Sequence, residues 1–100
     1  MYKFLCEHKK EYVLSKQLLR SGTAIGALIR EAEQGESPAD FIHKLSIALK
    51  EGKETEYWIA LLYEAQYIEE LAFISINSDL TEILKLLVSI IKTNKQKRNS

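Results

Sequence analysis

Two pairs of side chains in this sequence have spacings that could contribute to a metal site. Asp40 and His43 lie three residues apart, so they share one face if the segment is helical. Cys6 and His8 form a Cys-x-His pair near the N-terminus. A di-metal bundle takes ligands from four helices, and structural zinc takes four ligands. Each pair supplies only two ligands, which is too few for either a di-metal site or a structural zinc site. We therefore expect neither a metal nor another cofactor.

The remaining polar residues do not form a recognisable catalytic pattern. No nucleophile is accompanied by a base and an orienting group at a known spacing, and no Gly-rich loop follows a strand to hold phosphate. Charged residues cluster at Lys50, Glu51, Lys53, Glu54 and Glu56, with the spacing of ion pairs on a solvated helix face. We therefore expect no enzymatic activity and no small-molecule substrate.

Basic residues are concentrated at the two ends of the chain, although its formal net charge is zero. The net charge is +4 over residues 1–30, −9 over 31–82 and +5 over 83–100. Two interpretations stay open: acidic residues at the same ends of a bundle neutralise these bases, or the bases contact phosphate. The candidate nucleic-acid-binding residues are Lys9, Lys10, Lys16, Arg20, Lys92, Lys95, Lys97 and Arg98.

Composition indicates a single all-α domain over residues 1–100. Proline occurs once and glycine four times, which is too few turn signals for a sandwich or barrel. The lone Cys6 and the lack of a signal-peptide pattern favour the cytoplasm. No apolar run approaches the roughly 20 residues of a membrane span, so we expect no membrane partner.

Apolar periodicity predicts where the helices lie. Apolar and small residues recur every three or four positions over 13–34, a pattern typical of a helix with one buried face. Gly35 then ends the helix, and Ser37 and Pro38 begin the next one over about 38–66. Another helix is predicted over about 69–95, with an alternative start or kink at residues 77–79. A short helix over 1–6, a polar connector over 7–12 and a basic tail over 96–100 complete the prediction.

Gly22 and Gly26 lie within a predicted helix, where each costs about 1 kcal/mol relative to alanine. Glycines kept at such a cost predict the close approach of another helix. The predicted helix-packing residues are Gly22, Ile25, Gly26, Gly52 and Trp58.

Three long helices and a short one make an unbalanced bundle. Four helices of matched length bury their apolar stripes best, so an incomplete first helix would leave an apolar groove. Two explanations are open: part of the first helix is missing from this sequence, which we favour, or the groove binds a partner.

The segment from Leu18 to Leu62 resembles the helical hairpin of a bacterial four-helix-bundle family. This is the family of proteins encoded by intervening sequences of 23S ribosomal RNA, often called S23 ribosomal proteins. The resemblance covers roughly residues 2–95, and that family is similar to the accessory protein of diversity-generating retroelements. Its strongest motifs are Arg20-Ser21-Gly22, Ile25-Gly26, Glu31-Ala32, Ser37, Ala39-Asp40-Phe41 and the segment from Glu54 to Trp58.

The resemblance implies an antiparallel up-down four-helix bundle, here with a short or truncated first helix, that assembles into a homopentamer. It also implies a surface that contacts RNA or a nucleic-acid-processing protein, and no enzymatic activity. Our first hypothesis is a non-enzymatic oligomeric bundle that binds RNA or such a partner. The alternative is a structural homo-oligomeric adaptor that binds protein partners only.

Overall fold

The computed structural model describes the backbone of residues 2–99 and the side chains of residues 9–95. Three α-helices account for most of this range: α1 (Tyr2–Glu33), α2 (Pro38–Glu64) and α3 (Glu70–Asn99). No strand occurs within residues 2–99. The helices run antiparallel in succession along a molecule about 62 Å long. The all-α prediction is confirmed, whereas a four-helix bundle is not, since the described backbone contains three helices.

Helix α1 is continuous where the sequence predicted a short helix over 1–6 and a connector over 7–12. The polar residues of that predicted connector include glutamate and lysine, which are good helix formers, and neither Gly nor Pro interrupts the chain before Gly22. Lys9 and Lys10, the first residues of this segment whose side chains the structure describes, are exposed on the surface of the helix. The two predicted elements are therefore the first turns of α1.

The turn between α1 and α2 follows the capping signals of the sequence. Ser37 has extended backbone angles (φ −146°, ψ 157°), and its Oγ accepts a hydrogen bond of 3.1 Å from the backbone N–H of Asp40. Pro38 occupies the first helical position, where its missing N–H costs nothing. The short turn forces α2 to run back along α1.

The turn between α2 and α3 uses a Schellman motif without glycine. The N–H of Tyr67 donates to the carbonyl of Leu62, and the N–H of Gln66 donates to that of Tyr63. Gln66 adopts a φ of 65°, a left-handed conformation that glycine usually supplies. This motif ends α2 at Glu64, two residues before the predicted end. Helix α3 then continues without a break through residues 77–79 and extends beyond the predicted end at 95.

Helix α2 lies at the centre of the core and packs against both other helices. Its buried residues recur every three or four positions from Ile42 to Leu62. No Cα atom of α1 lies within 8 Å of a Cα atom of α3 in the described backbone. Two buried clusters fill the core, one around Ala48 and one around Ile59. The two outer helices are therefore joined chiefly through α2.

The described part of the chain contains no candidate membrane-spanning segment. None of its three helices is long and apolar enough to span a bilayer.

Candidate protein-binding groove

An open apolar groove of about 840 Å³ runs between α1 and α3, with α2 as its floor. We call it the α1–α3 groove. The α1 wall includes Leu18, Leu19, Gly22, Gly26 and Ile29. The α3 wall includes Ile76, Asp79, Ile83, Leu86 and Ile90, and Leu45 and Ile59 contribute to the floor.

The groove exists because the apolar arcs of α1 and α3 are wider than their contacts with α2. On α3, Leu80, Leu84 and Leu87 are buried against the core. Ile83 and Leu86 belong to the same helix but lie toward the groove, where they are 41% and 61% exposed. Across the groove, Leu19 of α1 is 67% exposed. Each outer helix thus presents a second apolar strip that the rest of the described chain does not cover.

Gly22 and Gly26 lie on the wall of this groove and not at a helix contact. A Cβ atom added at either position would have no heavy atom of a neighbouring element within 4 Å. The close approach predicted from the sequence is therefore not made among the described residues, because the side of α1 that carries both glycines faces the open groove. Because neither glycine has a side chain, the two positions leave a notch in the α1 wall of the groove.

Gly52 permits close packing of α2 against both outer helices. It is buried on α2, and a Cβ atom there would overlap Cδ2 of Leu84 and lie 3.8 Å from Cδ1 of Ile25. Side chains from both outer helices therefore converge over this position. Ile25 is itself buried in the cluster formed with Leu80.

Arg20 is held in a network on the outer side of α1 and α2. Its Nη1 lies 3.4 Å from Oε2 of Glu51, and its Nη2 donates to Oε1 of Glu54. The indole Nε1 of Trp58 donates to the same carboxylate at 3.3 Å. The Trp58 and Arg20 hydrogen bonds lower the pKa of Glu54, and the bond to Glu54 raises the pKa of Arg20. Arg20 is thus engaged with carboxylates, although it remains partly exposed.

Trp58, one of the predicted packing residues, is half-buried at this network. Its ring meets that of Tyr57 edge to face, with centroids 5.1 Å apart. Trp58 therefore lies at the edge of the helix packing, partly exposed to solvent, and is not a central core residue.

The other predicted nucleic-acid contacts divide between the two ends of the molecule. Lys9, Lys10 and Lys16 are exposed toward the N-terminal end of α1, whereas Lys92 and Lys95 are exposed toward the C-terminal end of α3. Because α1 and α3 both run antiparallel to α2, these groups lie at opposite ends of the long axis. The side chains of Lys97 and Arg98 lie outside the described residues.

None of these five described lysines makes an ion pair with another described side chain. Among residues 9–95, pairing with neighbouring acids is therefore seen for Arg20 but not for these five lysines. Within one chain the lysines nevertheless form two separate groups.

A buried hydroxyl pair, not singled out from the sequence, connects α1 to α2. Thr55 donates from Oγ1 to Oγ of Ser21, with the two oxygens 2.8 Å apart. Both residues are almost fully buried. Ser21 belongs to the motif that begins at Arg20, but its spacing alone does not identify the residue opposite it. The pair fixes the axial position of α1 against α2.

The candidate metal ligands do not converge among the described side chains. His43 is exposed on α2, and residues 9–95 contain no cluster of three or more His, Cys, Asp or Glu side chains able to hold a metal. Cys6 and His8 lie outside the described side chains.

The protein is an all-α protein of antiparallel helices, with one apolar face left open among the described residues. The chain belongs to the 23S rRNA-intervening sequence protein family, whose sequence profile matches residues 1–89. The similarity predicted from the sequence motifs is thus confirmed for this family.

A solved relative supports the same assignment. A Bacteroides thetaiotaomicron VPI-5482 protein, solved at 1.70 Å, is described as a protein with unknown function from the S23 ribosomal protein family. It is 65% identical, with a TM-score of 0.80, over 91% of this chain and 81% of its own. No curated protein sequence matches this chain significantly.

Proposed function

We propose that this protein acts without catalysis, by binding another macromolecule through the α1–α3 groove. The observation that carries the proposal is the apolar groove itself, with Leu19 and Leu86 more than half exposed on its two walls. Exposed apolar surface of this kind is typical of an interaction site. A helix seated there would complete a four-helix bundle, the architecture that the family resemblance implies.

Affinity purification of the tagged chain from cells tests this function. Leu86→Glu places a charge on the groove wall, and Val13→Glu places the same charge on an exposed apolar position of α1 outside the groove. We expect a partner that survives ribonuclease treatment, that Leu86→Glu loses and that Val13→Glu keeps. The same partners with all three proteins would contradict the proposal.

Self-association is a further part of the proposed function, with the homopentamer taken from the family resemblance. Leu71, Ile74 and Val88 are exposed on α3 outside the groove and supply apolar area for such contacts. Light scattering at micromolar concentration measures the mass directly. We expect an oligomer that Val88→Glu weakens and that Ser75→Glu, at an exposed polar position of the same helix, leaves intact. A monomeric wild-type protein would refute this part.

RNA binding is the second candidate function, and the free lysines at both ends of the chain favour it. One chain separates Lys9 and Lys16 from Lys92 and Lys95, but a ring of several copies would repeat both groups. The family's name supplies structured ribosomal RNA as the probe. A cytoplasmic location and the retroelement similarity remain predictions from the sequence.

Fluorescence anisotropy at about 50 and 200 mM salt tests RNA binding, because several phosphate contacts make affinity fall steeply with salt. We expect Lys92→Gln with Lys95→Gln to weaken binding and to reduce the salt slope. Lys53→Gln serves as the control, since it removes an exposed lysine of α2 outside the predicted set. Equal effects of the double variant and the control would count against the assigned surface.

A further inference from the structure

We infer that the α1–α3 groove binds a partner's amphipathic helix of about four turns that carries lysine or arginine near both ends. This inference rests on the proposed function and specifies the chemistry of the partner. It draws on the dimensions of the groove, its hydrogen-bonding capacity and the charges on its walls.

The length of the groove sets the length of its occupant. Its walls extend from Leu18 to Glu33 on α1 and from Ile76 to Ile90 on α3. At 1.5 Å per residue, each wall is about 21–23 Å long, or about four helical turns. The notch at Gly22 and Gly26 lies within this length and admits large apolar side chains of a neighbouring helix.

Hydrogen bonding favours a helix over an extended segment. The hydroxyl of Thr23 already donates to the backbone carbonyl of Leu19 in its own helix, and that of Thr55 already donates to Ser21. An extended peptide would bury backbone N–H and C=O groups against walls with few free partners. A helix satisfies these groups internally and buries only its apolar stripe.

The charges on the groove walls specify the flanks of the occupant. Glu33 on α1 and Asp79 on α3 are the charged residues that line the groove, and both are acidic and exposed. Ile25 and Leu84 lie at the same level over Gly52, and α1 and α3 run in the same direction. Glu33 follows Ile25 by eight residues, and Asp79 precedes Leu84 by five. The two carboxylates are therefore about 20 Å apart along the groove.

Two synthetic 16-residue helical peptides test the inference, with the same leucine and alanine stripe but with either lysine or glutamate flanks. Fluorescence anisotropy of each labelled peptide against the full chain gives its affinity. Two exposed ion pairs predict about fivefold tighter binding of the lysine peptide at low salt. At about 0.5 M salt the difference should disappear, because such pairs are then screened.

Variants assign the binding to the groove and the preference to its charges. Leu19→Glu should abolish binding of both peptides, whereas Val13→Glu should leave it unchanged. The double variant Glu33→Gln and Asp79→Asn should keep apolar binding and lose the lysine preference. Circular dichroism establishes that each variant is folded before its affinity is interpreted.

Three results would overturn the inference. Equal affinity for the two peptides at low salt would refute the basic flanks, and binding unaffected by Leu19→Glu would refute the groove as the site. Binding of a fluorescent fatty acid without binding of either peptide would assign the groove to a small apolar ligand. If the affinity purification above still yields a groove-dependent partner, the proposed function stands while this description of the partner fails.

Discussion

Replacing Gly22 and Gly26 together by alanine should stabilise this protein. An added Cβ at either position has no heavy atom of another element within 4 Å, so neither substitution causes a clash. Each glycine in a helix interior costs about 1 kcal/mol relative to alanine, so the double variant should gain about 2 kcal/mol. For a domain of this size that corresponds to a rise in Tm of about 8–16 °C. Thermal unfolding followed by circular dichroism measures it.

Gly52→Ala is the matched comparison, because it makes the same substitution in a helix where the Cβ has no room. The new atom would overlap Cδ2 of Leu84 in the core. Overpacking of this kind costs about 1–3 kcal/mol, which offsets or exceeds the gain in helix propensity. Gly52→Ala should therefore be neutral or destabilising, whereas the alanine substitutions at Gly22 and Gly26 should stabilise the protein.

The melting temperature of the double variant relative to the wild type shows whether the groove is open in solution. If the Gly22→Ala and Gly26→Ala double variant melts below the wild type, those glycines contact a neighbouring helix in solution and the groove is not open. If it melts higher but binds the lysine-flanked peptide more weakly, the glycines lower the stability of the free chain and leave room for the occupant.

Three further predictions concern the ends of the helices and the outer network. Gln66→Gly should raise stability by about 1 kcal/mol in urea unfolding, because Gln66 holds a left-handed conformation that glycine adopts without strain; a lower midpoint would refute the strain argument. Ser37→Ala should cost about 1 kcal/mol in the same assay through loss of the N-cap, and an unchanged midpoint would contradict it. The hydrogen bonds from Trp58 and Arg20 lower the folded-state pKa of Glu54 below its ordinary value of 4.5. Their contribution to stability is present above that value and is lost as pH falls through the folded-state pKa. Glu54→Gln should therefore lose less stability than the wild type between about pH 5 and 3 in urea titrations, and identical pH profiles would rule this coupling out.

The helical class, the first turn and most of the core could be predicted from the sequence because they depend on local signals. Ser37 and Pro38 carry their capping chemistry in their own side chains and backbone, and the repeat at three and four residues reports the buried face of each helix. The continuity of α1 was missed because the polar residues 7–12 were interpreted as a connector. Glutamate and lysine favour an exposed helix as readily as a loop.

The site was harder to predict because it depends on which faces remain uncovered. The small size of Gly22, Gly26 and Gly52 is equally visible in the sequence, yet only Gly52 receives side chains from both outer helices. The opposite result for the other two follows from the position of α3, which periodicity does not specify. Likewise, the sequence leaves both pairing with acids and phosphate contact open for Arg20, and only the fold places Glu51 and Glu54 beside it.

The central position of α2 also bears on how the molecule unfolds. Because α1 and α3 approach each other through few atoms, α3 can detach while the hairpin of α1 and α2 keeps most of its contacts. Hydrogen exchange should then show α3 opening as a separate unit, at a lower free energy than the hairpin. A helix bound to both walls would merge the two units into one cooperative transition. Occupancy of the groove would thus be detectable as protection of α3 amides far from any direct contact.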